Sequence, residues 1–368
     1  MKIAIVHDHF LEFGGAERVA VAIKRVLPEA VVHTAAYNKQ LLADRVSGSA
    51  SWKIRSSWAM RIPFFHKLYS PLRFLAPWIW ESFDFSGYDV VISSSGWFMS
   101  KGIVTQDGTQ HISYIHHQPR YLYYYETAVE WQKYWPVRIY AYIINHFLRT
   151  WDFIGSQRPD ILVANSEETR RRIQKFYRRD AVVIYPPVYI PEDVSIELRK
   201  PHYYVTLSRF ARAKNIDLLI LTANKLKIPL KIVGSGRDEA YLKSLAGPTV
   251  EFLGRLKDKE FVDLYRGAKA FLNAGIDEEF GIAPVEAMGH GVPVIAYASG
   301  GLTETVTDGK NGYLFTELTR DSLSKAINKF EKLTKKEHRE MSAAARKESQ
   351  KYTSAVFKDK LLALIRSV

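Results

Sequence analysis

In "DEEFGIAPVEAMGHG", Asp277–Gly291, the glutamates Glu278 and Glu286 stand eight positions apart around a Phe-Gly pair and a proline. A carboxylate accepts hydrogen bonds on two oxygens, so it can hold a pair of vicinal hydroxyls. Two such groups suit a ribose and a hexose. The apolar run before them, "KAFLNAG", ends near Gly275, and Pro284 suits the first turn of a helix, where its missing N–H is no loss. Glu278 then lies on the loop and Glu286 on the helix. The N–H groups around Phe280, Gly281 and Ile282 are left at the positive helix start, which favours phosphate and sugar oxygens. A loop glutamate followed by an exposed helical one is the plainer reading. It does not account for the turn built between them.

Three other stretches could add charge or backbone donors. Arg209 and Lys214 in "LSRFARAKN" follow an apolar run, where two cations can meet a diphosphate or simply face solvent. Gly14 and Gly15 follow the first apolar run and open a helical pattern. They let the backbone approach an anion closely, or they make a tight turn. No third glycine completes a dinucleotide fingerprint. His116 and His117 in "YIHHQPRYL" end a run. Without cysteines or an H-x3-H partner they do not read as a zinc site. The sequence has no Asp-x-Asp motif, so no metal or other cofactor is expected.

The elements that position these residues alternate. "KIAIV" is rich in β-branched residues, and "AERVAVAIKRVL" has apolar positions at helical spacing. Strands follow at "AVVHTAAY", "YDVVISSS", "HISYIHH" and "PDILVANS". Ser166 caps a helix that begins with Glu167 and Glu168. Pro186, Pro187 and Pro191 interrupt the pattern, and residues 186–200 read as a linker. Alternation then restarts at "YYVTLS" and runs through "LKIVGSG", "VEFLG", "KAFLNAG" and "VPVIAYA", with helical stretches between them. Such βα alternation implies parallel sheets covered by helices, hence two doubly wound α/β domains, with ligands at the carboxyl ends of the strands.

Composition narrows the classes. At 368 residues and 47% apolar, the chain is long enough for two cores. Cysteine is absent, which fits a reducing cytoplasm. The start, "MKIAIVHDHF", reads as a strand rather than a signal peptide, and no run is long enough to span a membrane. The net charge of +13 is spread as +7 over residues 1–190 and +6 over the remainder. So diffuse an excess, with no nucleic-acid motif, argues against a nucleic-acid-binding protein. One stretch departs from the average: residues 51–80 hold Lys53, Arg55, Arg61, Lys67, Arg73 and four of the eight tryptophans, but no acid. Residues 51–85, with the aromatic stretch 121–148, are either an aromatic core with a basic rim or a surface that lies on an anionic membrane.

Taken together these motifs resemble glycosyltransferase family 4, the retaining, nucleotide-sugar-dependent transferases of GT-B fold. "EEFGIAPVE" resembles its E-x7-E signature, and "GGAERV", "YIHHQPRYL", "SRFARAK", "GSG", "VEFLGRL" and "SGGLTETV" follow in the family's order. The look is that of the bacterial and archaeal surface-polysaccharide mannosyltransferases. The resemblance implies two Rossmann-like domains facing a central cleft. Residues 1–190 would bind the acceptor and 191–350 the nucleotide sugar. Residues 351–368 would form a helix that crosses back to the first domain and serves as a hinge. Glu286 would hold the ribose and Glu278 the donor sugar. Backbone N–H groups of Phe280, Gly281 and Ile282 would bind sugar and phosphate. Arg209 and Lys214 would neutralise the leaving diphosphate, and Gly15, beside Gly14, would approach it. His116 would sit by the reacting carbon, and the backbone near Arg255 and Leu256 would meet the base. The chain departs from the family in having Glu279 after the first glutamate, and Ala283 with the proline one place later, at Pro284.

The activity implied is metal-independent transfer of a hexose, mannose by resemblance, from GDP-mannose or another nucleotide-diphosphate sugar. The acceptor would be a glycan or a polyprenyl-linked glycan of the cell surface. The place would be the cytoplasm, at the inner face of the membrane. A sugar-nucleotide epimerase or a synthase with a soluble acceptor is the alternative within the same fold.

Overall fold

The computed structural model describes residues 1–126, 134–192 and 201–368. Residues 127–133 of the aromatic stretch and 193–200 of the linker lie outside the described residues. The chain divides into two units, Met1–Pro187 with Phe357–Val368, and Val188–Val356.

The first unit is built on strands β1 (Ile3–His7), β2 (Val31–Thr34), β3 (Ile54–Ser56), β4 (Val90–Ser95), β5 (Gln110–Ile115), β6 (Ile161–Ala164) and β7 (Val182–Val183). They form one parallel sheet in the order β3-β2-β1-β4-β5-β6-β7. The central strands are covered on both faces, which is why they read as unbroken apolar runs rather than alternating ones. Ile5, Ile92, Ile112 and Tyr114 are buried on one face and Val6 and Val91 on the other. The helix Ser354–Arg366 belongs to the first face, where it buries Phe357, Leu361 and Ile365.

The second unit repeats the plan with β8 (Tyr203–Leu207), β9 (Leu230–Val233), β10 (Val250–Gly254), β11 (Ala268–Asn273), β12 (Val294–Tyr297) and β13 (Gly312–Phe315). The order is β10-β9-β8-β11-β12-β13, again all parallel. In each sheet the order reverses beside its first strand, between β1 and β4 and between β8 and β11. Loops diverge there, and open α/β sheets bind ligands at that point.

Ser166 caps the helix Glu167–Tyr177 by accepting from the Thr169 N–H at 3.0 Å, as its position predicts. The "LTETVTDG" stretch is helical only over Leu302–Thr305. Strands β3, β7 and β13 are found although the sequence does not single them out.

Candidate functional site

In the second unit the loops after β8 and β11 meet at the switch point. The Ile276 N–H donates to the Ala213 carbonyl at 2.9 Å, and the Asn215 amide to the Ala274 carbonyl at 2.9 Å. These contacts bring Lys214 and Glu278 together, with the ammonium donating to Oε1 at 2.5 Å. Both side chains are largely but not wholly buried. A cation and the first signature glutamate, 64 residues apart in sequence, thus form one ion pair.

Glu278 is also held from behind. Its carbonyl accepts the Gly301 N–H at 2.8 Å, and the Asp277 N–H donates to Ser299 Oγ at 3.1 Å. A Cβ on Gly300, whose φ is +60°, would lie 2.0 Å from the Glu278 carbonyl oxygen. The "SGG" stretch after β12 therefore clamps the signature loop by backbone contact. Gly300→Ala is expected to cost about 2–3 kcal/mol of stability and to displace Glu278. Gly309→Ala, at φ +75° with nothing within 4 Å of a new Cβ, adds backbone strain alone. Comparing the two variants by thermal denaturation isolates the clash.

After Glu278 the chain turns through buried Phe280, which packs on Tyr352 at 5.1 Å between ring centroids. Gly281, at φ +89°, is the N-cap of the helix Ile282–Gly289. Pro284 is its third residue, so the proline falls in the first turn despite its later position in the motif. The N–H groups of Gly281 and Ile282 have no acceptor among the described residues. Glu286 sits half-buried one turn further on.

Arg209 lies in the loop after β8. Gly234 and Gly236, after β9, let that loop approach Ser208–Phe210, because a Cβ on either would meet backbone atoms at 1.9 and 2.4 Å. Arg255 donates to Ser235 Oγ at 3.0 Å, beside the half-buried Leu256. The predicted residues of this unit therefore follow the carboxyl ends of β8, β10 and β11, with Glu286 on the helix after β11.

In the first unit the switch point carries a network that sequence reasoning did not assemble. The Gly14 N–H donates to Glu17 Oε2 at 2.6 Å, and Glu17 Oε1 lies 3.8 Å from His7 Nε2. His7 Nδ1 is 3.0 Å from Ser94 Oγ, which is 2.7 Å from His116 Nε2. The His116 carbonyl accepts from the Asn165 amide at 2.8 Å. Beside them the Asp8 carboxylate accepts N–H groups of Gly96, Phe98 and Ser100, each at 2.9 Å. Gly14 is extended rather than left-handed, so its place in the turn comes from this capping contact, and Gly15 is exposed behind it.

Burial disfavours charge on His116 and pulls its pKa down to about 3, helped by His7. The ring is neutral at physiological pH. Burial works against ionised Glu17, but the hydrogen bond and charge of His7 outweigh it and hold Glu17 at about 2. Asp8 is likewise held low against its burial, by His7 and by the bonds from Ser100. His7, Asp8, Glu17 and Ser94 are the polar residues that the sequence reading missed. Their signal is the run His-Asp-His closing an apolar strand, and a glutamate three places after Gly14.

The comparisons agree with this architecture. The profile "Glycosyltransferase Family 4" matches residues 13–190, and "Glycosyl transferases group 1" matches residues 191–348. The chain belongs to glycosyltransferase family 4. The UDP-N-acetylglucosamine–peptide N-acetylglucosaminyltransferase GtfA subunit of Streptococcus gordonii is 28% identical over 191 residues, 47% of this chain and 37% of that one. A GDP-mannose-dependent monoacylated alpha-(1-6)-phosphatidylinositol monomannoside mannosyltransferase of Corynebacterium glutamicum is 33% identical over 184 residues, 42% and 48% of the two chains. The matches thus span about half, or less, of those relatives. The crystal structure of Anabaena HepE in complex with UDP and glucose superposes over 100% of both chains, with a TM-score of 0.72 and 20% identity. The fold is GT-B.

Proposed function

We propose that this protein is a retaining hexosyltransferase that moves mannose from GDP-mannose to a glycan or polyprenyl-linked glycan acceptor in cell-surface polysaccharide synthesis. The observation that carries this is the second unit's switch point. There Lys214, Glu278 and the unpaired N–H groups of Gly281 and Ile282 converge at the start of one helix. Breaking the glycosidic C–O bond leaves an oxocarbenium-like carbon and places additional negative charge on the diphosphate. Arg209, Lys214 and the helix start would stabilise that charge without a metal. Glu278 would hold donor-sugar hydroxyls and Glu286 the ribose. Phe280, Gly281 and Ile282 would line the sugar and phosphate, and Arg255 and Leu256 the base.

In the first unit Gly14 and Gly15 would face the phosphates. His116, neutral and fixed by Ser94 and Asn165, would stand by the reacting carbon as a hydrogen-bonding group rather than a cation. The acceptor would be bound by this unit at the inner face of the membrane, with residues 51–85 against the lipid. Among the described residues no helix is long and apolar enough to cross a membrane. Mannose is favoured because the Corynebacterium relative is named for GDP-mannose. UDP-glucose is the second reading, since HepE was crystallised with UDP and glucose.

Thermal-shift and turnover measurements against GDP-mannose, UDP-glucose and UDP-N-acetylglucosamine test the donor. Glu286→Ala is expected to weaken binding of the preferred donor about 10–100-fold, the loss of a charge-assisted hydroxyl contact. Unchanged affinity in that variant would remove Glu286 from the donor site.

A further inference from the structure

The helix Trp135–Gln157 is inside out. Its buried side consists of Ala141, Asn145, Leu148, Asp152, Gly155 and Ser156, half of them polar. Those polar groups are satisfied: Asn145 accepts from Arg73 at 3.0 Å and donates to the Tyr121 carbonyl at 3.2 Å. Asp152 pairs with Lys101 and accepts from the Tyr123 hydroxyl at 2.7 Å. The outward side carries Trp135, Ile139, Tyr142, Ile143, Phe147 and Ile154, spaced by one or two helical turns except for the neighbours Tyr142 and Ile143. Tyr142 is 84% exposed, Phe147 66% and Trp135 65%. An ordinary surface helix does the opposite, turning its apolar stripe to the core.

The apolar surface continues onto the basic, tryptophan-rich stretch. There Trp80, Phe65 and Ile79 are core, whereas Phe64, Leu68 and Trp78 are exposed. An open groove of about 540 Å³ runs between Phe74, Pro77 and Trp78 on one side and Phe147, Trp151 and Ile154 on the other. The exposed charges of the basic stretch and of the start of the helix are cations. Arg61, Lys67 and Arg138 are exposed, residues 51–80 contain no carboxylate, and Asp152 is buried. Glu81 is tied to Arg158 at 2.6 Å and to the Trp151 indole at 2.9 Å.

We infer that the outward face of Trp135–Gln157, with Phe64, Leu68 and Trp78, lies in the interface of an anionic lipid bilayer. The helix of 23 residues, about 34 Å long, would lie along the membrane plane, and the cations would face anionic headgroups. A second copy of the chain fits less well, because a two-fold pairing of this face sets Arg61, Lys67 and Arg138 against like charges. The inference extends the lipid-linked acceptor reading and rests on it for its purpose. It places the principal contact on the helix that holds the end of the aromatic stretch 121–148, with residues 51–85 beside it.

Co-sedimentation of the full chain with vesicles tests it. Binding is expected to vesicles of phosphatidylcholine with phosphatidylglycerol, and to be weaker by about tenfold or more with phosphatidylcholine alone. Ile143→Glu with Phe147→Glu is expected to lower partition into anionic vesicles at least about tenfold. Its circular dichroism and its turnover of donor with a water-soluble acceptor should stay unchanged. Lys67→Glu with Arg138→Glu should remove the preference for anionic lipid, and it keeps the test open if the first variant does not fold. Failure of the unaltered chain to sediment with anionic vesicles overturns the inference. So does a dimer in sedimentation velocity that the Ile143→Glu, Phe147→Glu variant dissolves. Donor turnover is read separately, so the transferase reading and the membrane face can fail independently.

Discussion

Lys214→Ala is expected to lower kcat about 10²–10³-fold, while Glu278→Gln lowers kcat but tightens donor binding severalfold. The opposite signs follow from the ion pair at 2.5 Å. Before donor arrives the ammonium is neutralised by Glu278, so the pair as a whole offers little net charge to a diphosphate. Neutralising Glu278 leaves a whole positive charge for the ground-state diphosphate, which strengthens binding. The same change would turn one of the two acceptor oxygens offered to donor-sugar hydroxyls into a donor, and so slow transfer. Removing Lys214 instead leaves a largely buried carboxylate unpaired where the phosphates would sit, which would weaken donor binding and withdraw the cation where negative charge develops. Calorimetric donor titration with single-turnover kinetics separates the two. A Lys214→Ala enzyme within threefold of the parent kcat would show that the lysine only secures the loop.

The strands that the sequence conceals all lie at sheet edges, although one edge strand, β10, is legible as "VEFLG". β1, β4, β8, β11 and β12 lie inside their sheets, buried on both faces, and each reads as an apolar run. β3, β7 and β13 are edge strands, hydrogen-bonded along one side only. β3 is Ile54–Ser56, a single apolar residue with Arg55 beside it, and β7 has two residues. Neither supports a periodic signal. The sequence left the aromatic stretch 121–148 open between core and membrane surface for another reason: periodicity locates an apolar stripe without saying which side meets the core. At the site, "EEFGIAPVE" was legible because its turn and its acids are contiguous. The pairing of Lys214 with Glu278, and of His7 with Glu17 and Ser94, depends on which strands are neighbours. Strand order comes from packing and is not written in any local window.

Acid is expected to unfold the first unit before the second. His33, His111 and His116 all belong to the first sheet and its following loop. Burial holds His33 down to about 4, helped by Arg55, and His111 down to about 3, helped by Arg179 and Arg158. His116 stands at about 3. Below the ordinary value of 6.5 the unfolded chain takes up protons that the folded unit refuses. Stability therefore falls as pH drops from about 6.5 towards 4 and 3, by about 1.4 kcal/mol per pH unit for each histidine. At pH 5 the three together amount to about 6 kcal/mol, comparable with the whole stability of a domain. Glu17 adds a loss of the same sign below about 4.5, as it is protonated towards its folded value of about 2. All eight tryptophans fall within the sequence of the first unit, so indole fluorescence follows that unit alone, while far-ultraviolet dichroism follows both. Fluorescence should change near pH 5, with the dichroic loss completed only in stronger acid. His33 lies among the rings of Phe83, Phe85 and Tyr88. His33→Phe should therefore remove one titrating group and keep the ring packing. It should shift the fluorescence midpoint to lower pH by recovering about 2 kcal/mol at pH 5. An unshifted midpoint would mean that His33 is not one of the groups that make this unit acid-labile.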